Sequence, residues 1–216
     1  MTNSARFTEL LFADQTLDEL SGALSGDESP AYPDVWKQLI QAADYLRRNK
    51  QTQATELLLT ITKNPSISTR MLLWGWTALR QIGIRPQPSE ASEIRGVVIQ
   101  VPVEQGADVL AVYADGTARY VNHSGKIIVW ESTDAKIARN IQEILDLSKA
   151  IDPNSSEDIG GTASGVVRVT LLTFNGNRFV DVAIHLLQVS PVNSVLTRGA
   201  ELIRNLIQQT EAMNKM

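Results

Sequence analysis

The chain has 216 residues, of which 43% are apolar and 20% charged, with a net charge of −4 and no cysteine. That is an ordinary composition for one sizeable globular domain or two small ones, and it excludes disulfides, thiolate nucleophiles and cysteine-ligated zinc. With no clustered basic face a nucleic-acid partner is not expected, and the longest apolar run, about 71–76, is far shorter than the roughly 20 residues of a membrane span.

Beginning at the N-terminus, MTNSARFTEL shows no basic segment leading into an apolar one, so a cytoplasmic location is the expectation. Phe7, Leu10, Leu11, Leu17, Leu20 and Leu24 mark a helix over about 5–24. The proline-bearing stretch 25–34 breaks it, and Asp34 caps a second helix over 35–48 with Trp36, Leu39, Ile40, Ala43 and Leu46 on its apolar face. Helices over 52–63 and 68–82 follow, the first ending before Asn64-Pro65. In the second, Trp74 and Trp76 flank Gly75 and point about 200° apart around the axis. One of the pair is therefore expected inside the helical half and the other against the sheet half or a partner, which makes the two a candidate interface.

The stretch AADYLRRNKQTQATELLLTITKNP resembles a tetratricopeptide repeat, placing Tyr45, Ala54, Leu58 and Pro65 near the aromatic, small, large and terminal-proline positions. The match covers one repeat at most, with no second copy at a period of about 34 residues, so a plain antiparallel helical hairpin is the competing reading. A composition break at 83–92 separates a helical region, 1–85, from a sheet region, 93–216.

That second region opens with a four-strand meander over 95–131. Val97, Ile99, Val101 and Val103 alternate with their neighbours, and Pro102 predicts an edge or bulge at that end of the first strand. The run 108–114 is apolar on both faces, as an interior strand is. Two-residue turns at Asp115-Gly116 and Ser124-Gly125 would set Leu110 against Val121, Ala111 against Tyr120, and Arg119 against Trp130 within cation–π reach. Ser132 or Thr133 then caps a helix over 134–150, and 152–165 is a polar, glycine-rich loop. Asn175-Gly176 predicts a hairpin pairing Val169 with Val182, Val167 with Ile184 and Leu171 with Val180. Ser190 and Pro191 open the last helix.

The expected class is thus α+β: a helical N-terminal half, then a mainly antiparallel six-strand sheet with two helices in the order ββββ-α-ββ-α. That order of elements resembles the profilin, roadblock and longin scaffolds, a likeness that implies an interaction or regulatory module.

Chemistry-bearing residues are sparse. Arg168, Thr170, Asp181 and His185 form a polar patch opposite the apolar face of the last hairpin, a candidate ligand or partner site if it is more than a solvated face with a diagonal ion pair. Tyr120, Asn122, His123 and Lys126 surround the NHSGK turn and form a candidate edge site for an anion or partner. Gly160 to Gly165 leads into a strand, lacks a following lysine and does not read as a phosphate loop. No metal-binding spacing is visible, and no cofactor or catalytic residue is assigned. The leading expectation is a non-catalytic protein-interaction or regulatory protein, with self-association through a sheet edge or the terminal helix. The alternatives are a small-ligand-binding sensor, and a hydrolase or transferase using Arg168, Asp181 and His185.

Overall fold

The computed structural model describes residues 7–19, 34–132, 134–152 and 165–213. The chain divides into two compact units. One comprises the residues up to Leu11, Ile94–Leu172 and Asn177–Met216, and the other Phe12–Glu93 with Thr173–Gly176.

The helical unit is built from α1 (Asp34–Arg47), α2 (Gln51–Thr62), α3 (Thr69–Gln81) and the single turn α4 (Pro88–Ala91). The helix expected over 5–24 is interrupted: helical turns at 7–9 and 17–19 flank irregular chain, with Ala13 at a φ of 48°. A new start is encoded at Thr16-Leu17-Asp18-Glu19. The Thr16 hydroxyl accepts from the Glu19 amide at 3.1 Å and the Glu19 carboxylate accepts from the Thr16 amide at 2.8 Å, a capping box that begins a second helix.

α3 is buried around nearly its whole circumference from Met71 to Leu79. Both tryptophans are therefore internal. Trp74 is 1% exposed, donates from Nε1 to Gln15 Oε1 at 3.0 Å, and lies 4.9 Å from the Trp36 ring. Trp76, 8% exposed, lies 5.8 Å from Phe174. The two rings thus take different neighbours, as their opposite directions require: Trp74 packs on Trp36 of the helical stretch, and Trp76 on Phe174 in the turn between the last two strands, within the sequence region 93–216.

The sheet unit is α+β. Its six-stranded antiparallel sheet has the order β4-β3-β2-β1-β5-β6, with β1 (Ile94–Val103), β2 (Gly106–Tyr113), β3 (Ala118–Val121), β4 (Ile127–Trp130), β5 (Val166–Thr173) and β6 (Gly176–Ala183). α5 (Ala135–Ser148) follows β4, and a 3₁₀ segment (Ile184–Val189) leads from β6 to α6 (Val192–Met213). Asp134, not Ser132 or Thr133, caps α5, its Oδ1 accepting from the Lys136 and Ile137 amides at 2.9 Å each. Ser190 caps α6 through its hydroxyl and the Val192 amide.

The main core lies between α5, α6 and one sheet face, joining Val97, Ile99, Leu110, Val112, Val167 and Val169 to Ile141, Ile144, Leu202 and Leu206. The opposite face is buried as well: Val98, Ala111, Tyr113 and Leu172 are at most 2% exposed, and the Tyr113 hydroxyl donates to the Leu11 carbonyl at 2.8 Å. Pro102 stands one residue from the end of β1, opposite Ala107, and β1 is interior rather than an edge. A strand terminus tolerates the missing donor as an edge does.

The meander registers differ by one residue from expectation. Val112 faces Ala118, Leu110 faces Tyr120, Arg119 faces Val129 and Ala118 faces Trp130. Both loops hold three residues, closed by Tyr113 N–H to Thr117 O and by Asn122 N–H to Lys126 O. A two-residue type I′ loop needs positive φ at both central residues, whereas the three-residue loop needs it at glycine alone. Gly116 and Gly125 have φ of 81° and 84°, and neither Asp115 nor Ser124 is positive.

Candidate functional site

The one-residue slip builds the first polar constellation. Because side chains alternate along a strand, it moves Tyr120 onto the face that carries Asp108 and Leu110. The Tyr120 hydroxyl donates to Asp108 Oδ2 at 2.9 Å, and the His123 amide and Nδ1 donate to Oδ1 at 2.8 and 3.0 Å. Burial raises the Asp108 pKa, but the bonds from the His123 amide, the His123 ring and Tyr120 outweigh it and hold the carboxyl below its ordinary value. Burial, reinforced by the bond to Asp108 and its charge, pushes the Tyr120 hydroxyl up to about 12.

Of the residues expected at this edge, Tyr120 and His123 converge on Asp108, whereas Asn122 serves the turn. Its Oδ1 accepts from Ser124 Oγ at 2.9 Å and from the Lys126 amide at 2.8 Å. Lys126 contributes through its backbone. The Ser124 hydroxyl is thus spent on the loop. Asp108 was missed by sequence reading because only the three-residue loops reveal its partners.

The second constellation lies on β5 and β6. The hairpin turns at Phe174-Asn175, one residue earlier than expected, so Thr173 faces Gly176 and, counting back, Arg168 faces Asp181. The shift is even, so the apolar residues keep their face while their partners slide along it. Arg168 donates from Nε and Nη2 to the two Asp181 oxygens at 2.8 and 2.7 Å, and its guanidinium lies 4.2 Å from the Phe179 ring centroid. The face is not solvated: Thr170 is buried and the Asp181 side chain is 1% exposed. His185 does not share it, because β6 ends at Ala183 and His185 rides on the exposed 3₁₀ segment with Ile184. Arg168 and Asp181 therefore form a bidentate structural pair, with the expected third member on another element. Likewise Arg119 does not stack on Trp130; its guanidinium donates to the Ala118 and Trp130 carbonyls and to Glu131.

Beside Asp108 opens a cavity of about 300 Å³. Ile99, Leu110 and Val167 wall it from the sheet, Leu196 and Ile203 from α6, and Ile184 and Leu187 from the 3₁₀ segment. Asp108 is the sole ionisable residue among its described lining residues. Gly199 also lines it; a Cβ there would stand 3.0 Å from Ile99 Cδ1, so glycine sets how closely α6 approaches the sheet. Neither this cavity nor its lining follows from local sequence pattern, since it joins three strands to two later elements.

No helix among the described residues is long and apolar enough to cross a membrane. Compared with known proteins, the chain matches no family model, no curated sequence and no solved structure.

Proposed function

We propose that the protein is a small-ligand-binding module whose ligand is apolar, or has an apolar end, and enters the cavity between α6 and the sheet. The observation that carries this reading is the cavity itself: about 300 Å³, bounded almost wholly by apolar side chains, with Asp108 the sole ionisable residue among its described lining residues. Ligand sites are typically concave, mostly apolar and sparing in polar groups, and this volume lies at their lower limit. Because Asp108 is already held by Tyr120 and His123, burial of apolar surface is the main source of affinity for such a ligand.

The test is uptake of an environment-sensitive naphthylamine dye, followed by its displacement with medium-chain aliphatic and aromatic compounds. Ala200 lines the cavity from α6 while remaining exposed, so Ala200→Phe fills the space without removing a core contact. Saturable uptake by the native chain that is lost in Ala200→Phe supports the reading; equal uptake by both, or by neither, contradicts it.

A protein-interaction role is the second reading, favoured by Ile184, Leu186 and Val189, which are 48%, 51% and 87% exposed on the 3₁₀ segment. Ile184 borders the cavity as well, so a partner docking there would respond to its occupant.

A further inference from the structure

The sheet has two edges, and they are protected unequally. β6 carries Arg178 and the inward-pointing Asp181, the kind of charge that keeps an edge from recruiting another strand. β4, Ile127-Ile128-Val129-Trp130, has no charge, proline or glycine, and Ile127 and Val129 are 40% and 51% exposed.

The backbone of β4 also has a defined free side. Asn122 N–H donates to Lys126 O, closing the hairpin with a hydrogen-bonded pair. Such pairs alternate along an antiparallel ladder, so Ile128 and Trp130 bond inward to β3, and the N–H and C=O groups of Ile127 and Val129 face outward.

We propose that β4 pairs antiparallel with β4 of a second copy of this chain, about a two-fold axis through Ile128 and perpendicular to the sheet. Residues directly opposite in a ladder share a face, so a two-fold axis of this kind allows only registers centred on a residue. Centred on Ile128, the outward groups of Ile127 meet those of Val129 in the second copy, and the two exposed apolar side chains pair on one face. In this register Lys126 lies opposite Trp130 of the second copy and Glu131 opposite Gly125, so antiparallel self-pairing keeps like charges apart where parallel pairing would align them. The pairing is independent of the cavity.

Sedimentation and light scattering of the full chain give the mass. The pairing predicts twice 23.7 kDa for the native protein. It predicts 23.7 kDa for Val129→Pro, which deletes an outward donor and leaves the β3–β4 ladder its inward bonds. Since the chain has no cysteine, Ile128→Cys provides a second readout. Two such residues meet at the axis, about 4.5 Å apart between Cα atoms, within disulfide range. Oxidation should therefore yield a covalent dimer for Ile128→Cys and none for Ile127→Cys, which lies opposite residue 129. A native protein of 23.7 kDa, or a dimer that persists in Val129→Pro and crosslinks through position 127, would overturn the pairing.

Discussion

Asp108 ties the start of β2 to the end of β3 by accepting from the Tyr120 hydroxyl, the His123 amide and the His123 ring. Its lowered pKa means that its contribution to stability is present above the ordinary carboxylate range and is lost as pH falls through the folded value. Tyr120 has the opposite sign: raised to about 12, it stabilises fully below its ordinary value of about 10 and ceases to do so as pH rises through about 12. In Asp108→Asn the Tyr120 titration should move down toward its ordinary value, and the alkaline loss of stability, which still begins near pH 10, should be smaller and end at a lower pH. Ultraviolet titration, with Tyr120→Phe identifying the signal among four tyrosines, measures it. At the other constellation, Arg168→Met strands the buried Asp181 and should cost about 3–5 kcal/mol in denaturant unfolding. Arg168→Met combined with Asp181→Leu should recover much of that, because no unpaired charge remains.

Among the elements, the close approach of α2 and α3 depends on Gly75, where a Cβ would stand 2.8 Å from Thr62 Cγ2. Gly75→Ala should destabilise by about 1–3 kcal/mol from overpacking, despite alanine's better helix propensity. Adding Thr62→Ser, which removes the opposing methyl, should restore most of the loss in a thermal melt. Helices and strands were legible where periodicity was long: Val97, Ile99 and Val101, and Val167, Val169 and Leu171, each lie on the core face their spacing assigns, whereas Val103 at the strand end is exposed. Turn length was not. Asp115-Gly116 fits either a two- or a three-residue loop, and the choice rests on the φ tolerated by Asp115. That single choice places Tyr120, Arg119 and the Asp108 partnership. The capping box at Thr16 and Glu19 was visible in the sequence, and it marks the break in the first helix that apolar spacing alone had hidden.

For the whole molecule, the antiparallel α+β class and the ββββ-α-ββ-α order followed from pattern, because each element carries its own signal. The candidate site did not. Ile99, Leu110, Val167, Leu196 and Ile184 come from five separate elements, and what makes them a site is the space left between them. The tryptophans, by contrast, were conspicuous in sequence and are packed inside the helical unit. The central claim is that the cavity binds an apolar ligand, and ligand-dependent thermal unfolding tests it most directly. A ligand present at about a hundred times its Kd stabilises by about 2.7 kcal/mol, which at roughly 2–4 °C per kcal/mol raises Tm by about 5–10 °C. The account predicts such a rise in the native chain for compounds that displace the dye, and its loss in Ala200→Phe. An unchanged Tm at saturating dye-displacing compound, or an equal rise in Ala200→Phe, would contradict it.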